Sequence, residues 1–124
     1  MTSRLALFLA ALFLLAGVAA GAFGAHAVRG VLAPDAMAIY QTAVQYHFWH
    51  ALGLLAVAIL MLHKPNSGGL VMAAWLLVAG MLFFSGSLYA LALTGIRGFS
   101  YATPVGGVAL LAAWAMLAWA AWRW

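Results

Sequence analysis

The stretch that decides the fold reads Tyr40-Gln41-Thr42-Ala43-Val44-Gln45-Tyr46-His47-Phe48-Trp49-His50. It is the densest polar stretch in an otherwise apolar sequence, and it runs directly into the apolar segment 51–62. Polar side chains at the end of a membrane helix are costly, so they usually mark the part of a membrane protein that carries its function. We therefore expect a membrane helix with a functional site at its polar end.

Composition assigns the whole chain to the membrane. Of its 124 residues, 69% are hydrophobic and only 5% are charged, whereas a soluble domain has about 25% charged residues. Five basic residues and one acid cannot cover a water-soluble surface, so the sequence predicts an integral membrane protein. The basic residues are scattered singly, which is typical of membrane-end anchors and argues against nucleic acid as a partner; they are Arg4, Arg29, Lys64, Arg97 and Arg123.

Four long apolar segments follow one another, at about residues 5–27, 35–62, 70–93 and 104–122. Each is long enough to cross the roughly 30 Å of hydrocarbon in a bilayer. Backbone polar groups inside lipid must be paired within their own segment, so each segment is predicted to be a helix. We predict an all-α fold, in which residues 1–124 form one integral membrane bundle of four transmembrane helices.

The ends of the segments carry helix signals. Pro34 suits the first position of the second helix, where its missing N–H costs nothing. Thr103 is expected to cap the fourth helix, with Pro104 directly after it. The first segment resembles a secretory signal peptide, but its apolar run is longer than the usual ~7–15 residues, so we expect this helix to be retained.

Small residues are expected where two membrane helices approach closely. Gly17 and Gly21 form a GxxxG pattern in the first segment, and Gly106 begins a stripe of small residues in the fourth. The glycines predicted to lie in helix–helix contacts are Gly17, Gly21, Gly24, Gly80, Gly86, Gly106 and Gly107.

Four antiparallel helices bring both termini and the Lys64 loop to one side of the membrane. That side carries three basic residues, and the other side carries two, Arg29 and Arg97. Because basic residues are enriched on the cytoplasmic side, we expect cytoplasmic termini.

The same topology gathers the polar side chains in the outward half of the bundle, while the other half is almost purely apolar. This predicts a polar pocket that binds a lipid headgroup, a small molecule or a partner helix. Its candidate ligand-binding residues are His26, Tyr40, Gln41, Gln45, Tyr46, His47, His50, Ser85, Ser87, Tyr89 and Thr103.

Several alternatives remain open for these polar residues. They can simply hydrogen-bond neighbouring helices, or His26 and His50 can bind a metal or a redox cofactor of unknown identity. A third alternative is a small oligomeric channel. Its partners would be the lipid bilayer and either a second copy of the chain or another membrane protein. Ser85 has no evident base and acid at catalytic spacing, which favours a protein that is not an enzyme.

The order of motifs resembles the YgdD/YwdK family, domain-of-unknown-function family 423, and covers essentially the whole chain. This resemblance implies a small four-helix protein of the bacterial inner membrane with an uncleaved first helix, and it supplies no activity. The motifs are Gly21-Ala22-Phe23-Gly24-Ala25-His26, Tyr40-Gln41-Thr42-Ala43-Val44-Gln45-Tyr46-His47, Phe84-Ser85-Gly86-Ser87-Leu88-Tyr89 and Thr103-Pro104-Val105-Gly106-Gly107.

Overall fold

The computed structural model describes residues 1–124 and confirms the all-α bundle. Its helices are α1 (Ser3–His26), α2 (Pro34–His63), α3 (Gly68–Thr94) and α4 (Ala102–Trp122), with a short 3-10 helix at Arg97–Tyr101 between the last two. All four α-helices are long and apolar enough to cross a membrane. We call the end of the bundle with both chain termini the termini end, and the opposite end the far end.

Local sequence explains most helix boundaries. Pro34 occupies the first turn of α2 as predicted, and the left-handed Gly95 ends α3 with a φ of 71°. The predicted cap at Thr103 is wrong, because α4 already begins at Ala102, directly after the 3-10 helix. The Thr103 hydroxyl instead lies 2.6 Å from the hydroxyl of Ser87 on α3.

Helices that follow one another in sequence pack against one another: α1 on α2, α2 on α3, and α3 on α4. The main hydrophobic core lies towards the termini end and includes the fully buried Ala6, Leu54 and Leu70. A separate small cluster at the far end consists of Val28, Tyr40 and Ala92. Only 17% of the residues in the most apolar stretch of α1 are buried, against 44% for α2, so α1 is the least enclosed of the four helices.

The glycines contact two different kinds of surface. On α1, Gly17 faces the ring of Phe48 and Gly24 faces the ring of Tyr40. Gly21, between them, has only Val44 nearby, with 3.9 Å between a Cβ built on it and the Val44 Cγ1.

The glycines between α3 and α4 are more tightly enclosed. Gly80 faces Leu110, and Gly106 lies directly against the backbone of Phe83 and Phe84. The packing prediction is wrong for Gly86, which is exposed and has no neighbouring atom within 4 Å of a Cβ built on it. At 3.6 residues per turn, Gly86 points about 120° away from Gly80, and so away from α4.

Candidate functional site

Two side chains of α2 bind the backbone of α1. The Tyr40 hydroxyl donates a hydrogen bond to the carbonyl of Ala20, and His47 Nε2 lies 2.7 Å from the carbonyl oxygen of Phe13. Both pairs are two helical turns apart, from 40 to 47 on α2 and from 20 to 13 on α1, so antiparallel helices keep them in register. We call these two hydrogen bonds the α1 clamp.

The clamp continues into α3 through Tyr89. His47 Nδ1 lies 2.9 Å from the Tyr89 hydroxyl oxygen. A carbonyl oxygen only accepts, so the hydrogen of an uncharged His47 imidazole sits on Nε2 and points to Phe13. Nδ1 is then an acceptor, and the Tyr89 hydroxyl donates to it. One chain of hydrogen bonds therefore runs from α3 through α2 to α1.

His50 faces a different neighbour. Its Nδ1 lies 2.7 Å from the carbonyl oxygen of Tyr46, one turn earlier on the same helix. Its ring stacks on the Tyr46 ring at 5.7 Å between centroids and lies 6.0 Å from the ring of Trp114 on α4. Tyr46 also packs against Phe84 at 4.5 Å. His47 and His50 therefore serve separate helix contacts and form no common site.

Two serines on α3 differ in their partners. The Ser87 hydroxyl donates to the carbonyl of Phe84 at 2.9 Å and pairs with Thr103 across the α3–α4 contact. Ser85 is only 2% exposed, and its hydroxyl has no hydrogen-bond partner. Ser87 thus joins two helices, whereas Ser85 is a buried polar group that the fold leaves unsatisfied.

The structure does not bring His26 and His50 together. His26 is exposed and is the last residue of α1, at the far end. His50 lies 16 residues after Pro34 (50 − 34), about 24 Å along α2 from that end. No group of three His, Cys, Asp or Glu side chains is arranged to hold a metal ion.

An open groove of about 740 Å³ runs between α1 and α2 at the far end. We call it the Arg29 groove, because Arg29 is its only charged lining residue; the amides of Gln41 and Gln45 also line it. Sequence reasoning missed Arg29, since a single arginine in a loop gives the same signal as a membrane anchor. The lining residues are Gly21, Gly24, Ala25, Arg29, Met37, Tyr40, Gln41, Val44 and Gln45.

A second groove, of about 510 Å³, lies on the other side of α1, between α1 and α3. We call it the His47 crevice, since the side chains of the clamp form its polar part and small or apolar residues form the rest. It contains no charged residue. The lining residues are Ala16, Ala19, Ala20, Phe23, Tyr40, His47, Tyr89 and Leu93.

The predicted site residues therefore divide between several places. Gln41 and Gln45 line the Arg29 groove, His47 and Tyr89 line the His47 crevice, and Tyr40 lines both. The others make helix contacts, remain unpartnered or lie exposed, as described above; they are His26, Tyr46, His50, Ser85, Ser87 and Thr103.

Comparison with known proteins finds membrane proteins of similar length. A family model described as "Protein of unknown function (DUF423)" matches residues 20–107. The chain is 42% identical over 111 residues to the UPF0382 membrane protein YwdK of Bacillus subtilis, covering 90% of each chain. It is 40% identical over 117 residues to the UPF0382 inner membrane protein YgdD of Escherichia coli K12, covering 94% of this chain and 88% of the relative. No solved structure matches.

Proposed function

The chain belongs to the DUF423 family, and on that premise we propose that it is an integral membrane protein that binds the phosphate of an anionic lipid headgroup in the Arg29 groove. The observation that carries this proposal is the groove of about 740 Å³ that is lined by one arginine and two glutamine amides. The proposed role is binding, without a chemical reaction.

The charge balance of the chain leaves basic groups without acidic partners. There are five basic residues and one acid, Asp35, so at least four basic side chains have no carboxylate partner within the chain (5 − 1). The guanidinium of arginine presents a planar set of N–H donors that matches phosphate oxygens. The amides of Gln41 and Gln45 add further donors, and this combination suits an anion with several oxygens.

The depth of the groove fits a headgroup. Gln41 lies 22 residues before His63, the end of α2 (63 − 41), which is about 33 Å at 1.5 Å per residue. The hydrocarbon core is about 30 Å thick, so a bilayer whose boundary lies at His63 ends close to Gln41. Arg29, beyond the end of α1, is then at the level of the lipid phosphates, and the glycines of α1 leave room beside it.

The proposed orientation follows from the basic residues. Three of them lie at the termini end and two at the far end, which favours cytoplasmic termini and a groove that opens to the outer leaflet of the inner membrane. A reporter fused to the C-terminus is expected to signal from the cytoplasm. A periplasmic signal would reverse the orientation without altering the groove.

Lipid titration in native mass spectrometry tests the binding proposal. The purified protein is expected to retain phosphatidylglycerol in preference to phosphatidylcholine, and Arg29→Gln should weaken that retention about tenfold, since a charge-assisted hydrogen bond is lost. Arg123→Gln is the matched control, because Arg123 lies at the termini end over the ring of Trp119. Excess inorganic phosphate distinguishes a free anion from a headgroup. It should displace the bound phosphatidylglycerol if the site recognises free phosphate, and should leave the lipid bound if the site recognises a lipid headgroup.

Two results would contradict the proposal: equal retention of the two lipids, or equal losses in Arg29→Gln and Arg123→Gln. The metal or redox alternative has less support, because His26 and His50 lie at different depths of the bundle. No contact within the single chain favours the channel alternative over the lipid site.

A further inference from the structure

We infer that the His47 crevice is a second ligand site, which takes an uncharged long-chain membrane lipid bearing a hydroxyl group. This site is independent of the Arg29 groove, because the two grooves lie on opposite sides of α1 and share only Tyr40 among their lining residues. Its ligand class follows from the shape of the crevice, its lack of charge and the state of its hydrogen-bond donors.

The shape of the crevice suits a hydrocarbon chain. Its volume of about 510 Å³ lies within the usual range for small-molecule sites, about 300–1,000 Å³. Ala16, Ala19 and Ala20 form a smooth wall on α1, and α1 makes almost no contact with α3. The crevice is therefore a gap between two helices that lipid molecules can reach sideways from the bilayer.

The depth of the polar groups suits a hydroxyl near the upper edge of the hydrocarbon. Tyr40 lies six residues from the start of α2 (40 − 34) and Tyr89 five residues from the end of α3 (94 − 89). Both phenols are thus about 8–9 Å below the far end of the bundle. Ala16 lies ten residues from the end of α1 (26 − 16), so the alanine wall continues to about 15 Å, where a chain would extend towards the membrane centre.

The absence of charge from the lining excludes ionic ligands. No Arg, Lys, Asp or Glu lines the crevice. A phosphate or carboxylate entering at this depth would have no counter-charge, and an unpaired charge in the hydrocarbon region is strongly unfavourable. The crevice therefore selects an uncharged molecule, in contrast to the Arg29 groove.

Hydrogen-bond accounting then selects among uncharged molecules. The crevice has three polar side chains, and each of them donates its hydrogen bond within the protein: Tyr40 donates to Ala20, His47 to Phe13, and Tyr89 to His47. The Tyr89 oxygen, on a side chain that is only partly buried, keeps a free lone pair, whereas Tyr40 is 2% exposed. The crevice therefore offers an acceptor and no free donor. A ligand hydroxyl can donate to it, whereas an ether, ester or ketone of the same shape cannot.

Competition against a photoreactive probe tests this inference. The probe is a long-chain alcohol carrying a diazirine, added to the full-length protein in detergent. Peptides that contain residues 16–23 and 89–93 are expected to be labelled. An unlabelled alcohol should compete about fivefold better than its own methyl ether, the difference expected for one hydrogen bond.

Variants test whether a hydrogen bond causes the preference for the alcohol. His47→Phe frees the Tyr89 hydroxyl to donate to an ether oxygen, so it should reduce the advantage of the alcohol over the ether, while Tyr101→Phe, at a side chain that is 83% exposed, should leave it unchanged. Arg29→Gln should also leave it unchanged, so failure of the lipid-phosphate proposal does not affect this result. If alcohol and ether compete equally in the unmodified protein, or if phosphatidylglycerol competes as well as the alcohol, the inference is wrong.

Discussion

The α1–α2 and α3–α4 contacts both depend on small residues, yet they use them differently. Between α3 and α4, Gly106 lies against the backbone of Phe83 and Phe84. Between α1 and α2, the tightest glycine contacts are with aromatic rings: Gly24 with Tyr40, and Gly17 with Phe48, where a Cβ built on Gly17 lies 3.3 Å from ring carbons.

This difference separates a rigid part of the molecule from an adaptable one. A ring can rotate or shift within its rotamers, whereas a helix backbone can withdraw only if the whole helix moves and loses its other packing contacts. The α3–α4 pair therefore acts as scaffold, while α1 is held on α2 by rings and by the two hydrogen bonds of the clamp. Both proposed ligand sites lie beside α1, where the structure leaves open space on either side.

The largest expected effect is at Gly106. Gly106→Ala places a methyl group on the backbone of α3, and we expect it to lower the free energy of unfolding by about 3 kcal/mol, the upper end of the usual range for overpacking. Gly107→Ala is the matched control, because a Cβ built there lies 3.7 Å from the Phe84 ring, an ordinary contact. Unfolding in mixed SDS micelles measures both variants, and similar losses would contradict the rigid α3–α4 contact.

The clamp gives the next effect. His47→Phe removes both hydrogen bonds of the imidazole and leaves the half-buried Tyr89 hydroxyl without its acceptor, so a loss of about 2 kcal/mol is expected. His47→Gln keeps one donor and one acceptor group and should recover part of that loss. If phenylalanine and glutamine are equally destabilising, ring shape matters more than the hydrogen bonds, and the clamp is not what holds α1.

The fold was predictable because hydrophobicity along the chain is enough to define four spans and the sequential order of antiparallel helices. Placement of the polar residues in one half followed from the same topology. Their division among separate contacts did not, since His47 and His50 differ by only about 60° around α2, and sequence alone cannot say which neighbour lies at each angle. The sequence therefore predicted one pocket for His26, His47 and His50, which the structure does not contain.

The other differences have similar causes. Gly86 carries the same composition signal as Gly80, and only the position of α4 shows that one faces a helix and the other does not. Thr103 lost its predicted capping role because a 3-10 helix precedes α4, and a run such as Arg97–Tyr101 has no clear signal in the sequence. Arg29 lies in a loop whose path decides whether it borders a groove or only anchors a helix.

A smaller loss is expected at the α1–α2 glycines. Gly24→Ala brings a methyl group against the Tyr40 ring, which can shift at a cost of about 1 kcal/mol. Gly21→Ala is the control, since its nearest neighbour, Val44, is at ordinary contact distance. Thermal unfolding in detergent should rank Gly24→Ala between Gly21→Ala and Gly106→Ala. A loss at Gly24 equal to that at Gly106 would remove the distinction between the rigid and the adaptable contact.

The smallest effect is expected at Ser85, where it should be a gain. Ser85 lies one turn before Tyr89 on the face of α3 that meets α2, and its buried hydroxyl has no partner. Ser85→Ala removes an unsatisfied polar group and slightly improves helix propensity, so stability should rise by about 0.5 kcal/mol. Ser87→Ala should instead lower it, because that hydroxyl bonds Phe84 and Thr103. The opposite signs make the pair a sensitive test in one unfolding assay. A loss in Ser85→Ala would mean that the hydroxyl has a partner in the folded protein, and the α2-facing side of α3 would then contain a further polar contact beside the clamp.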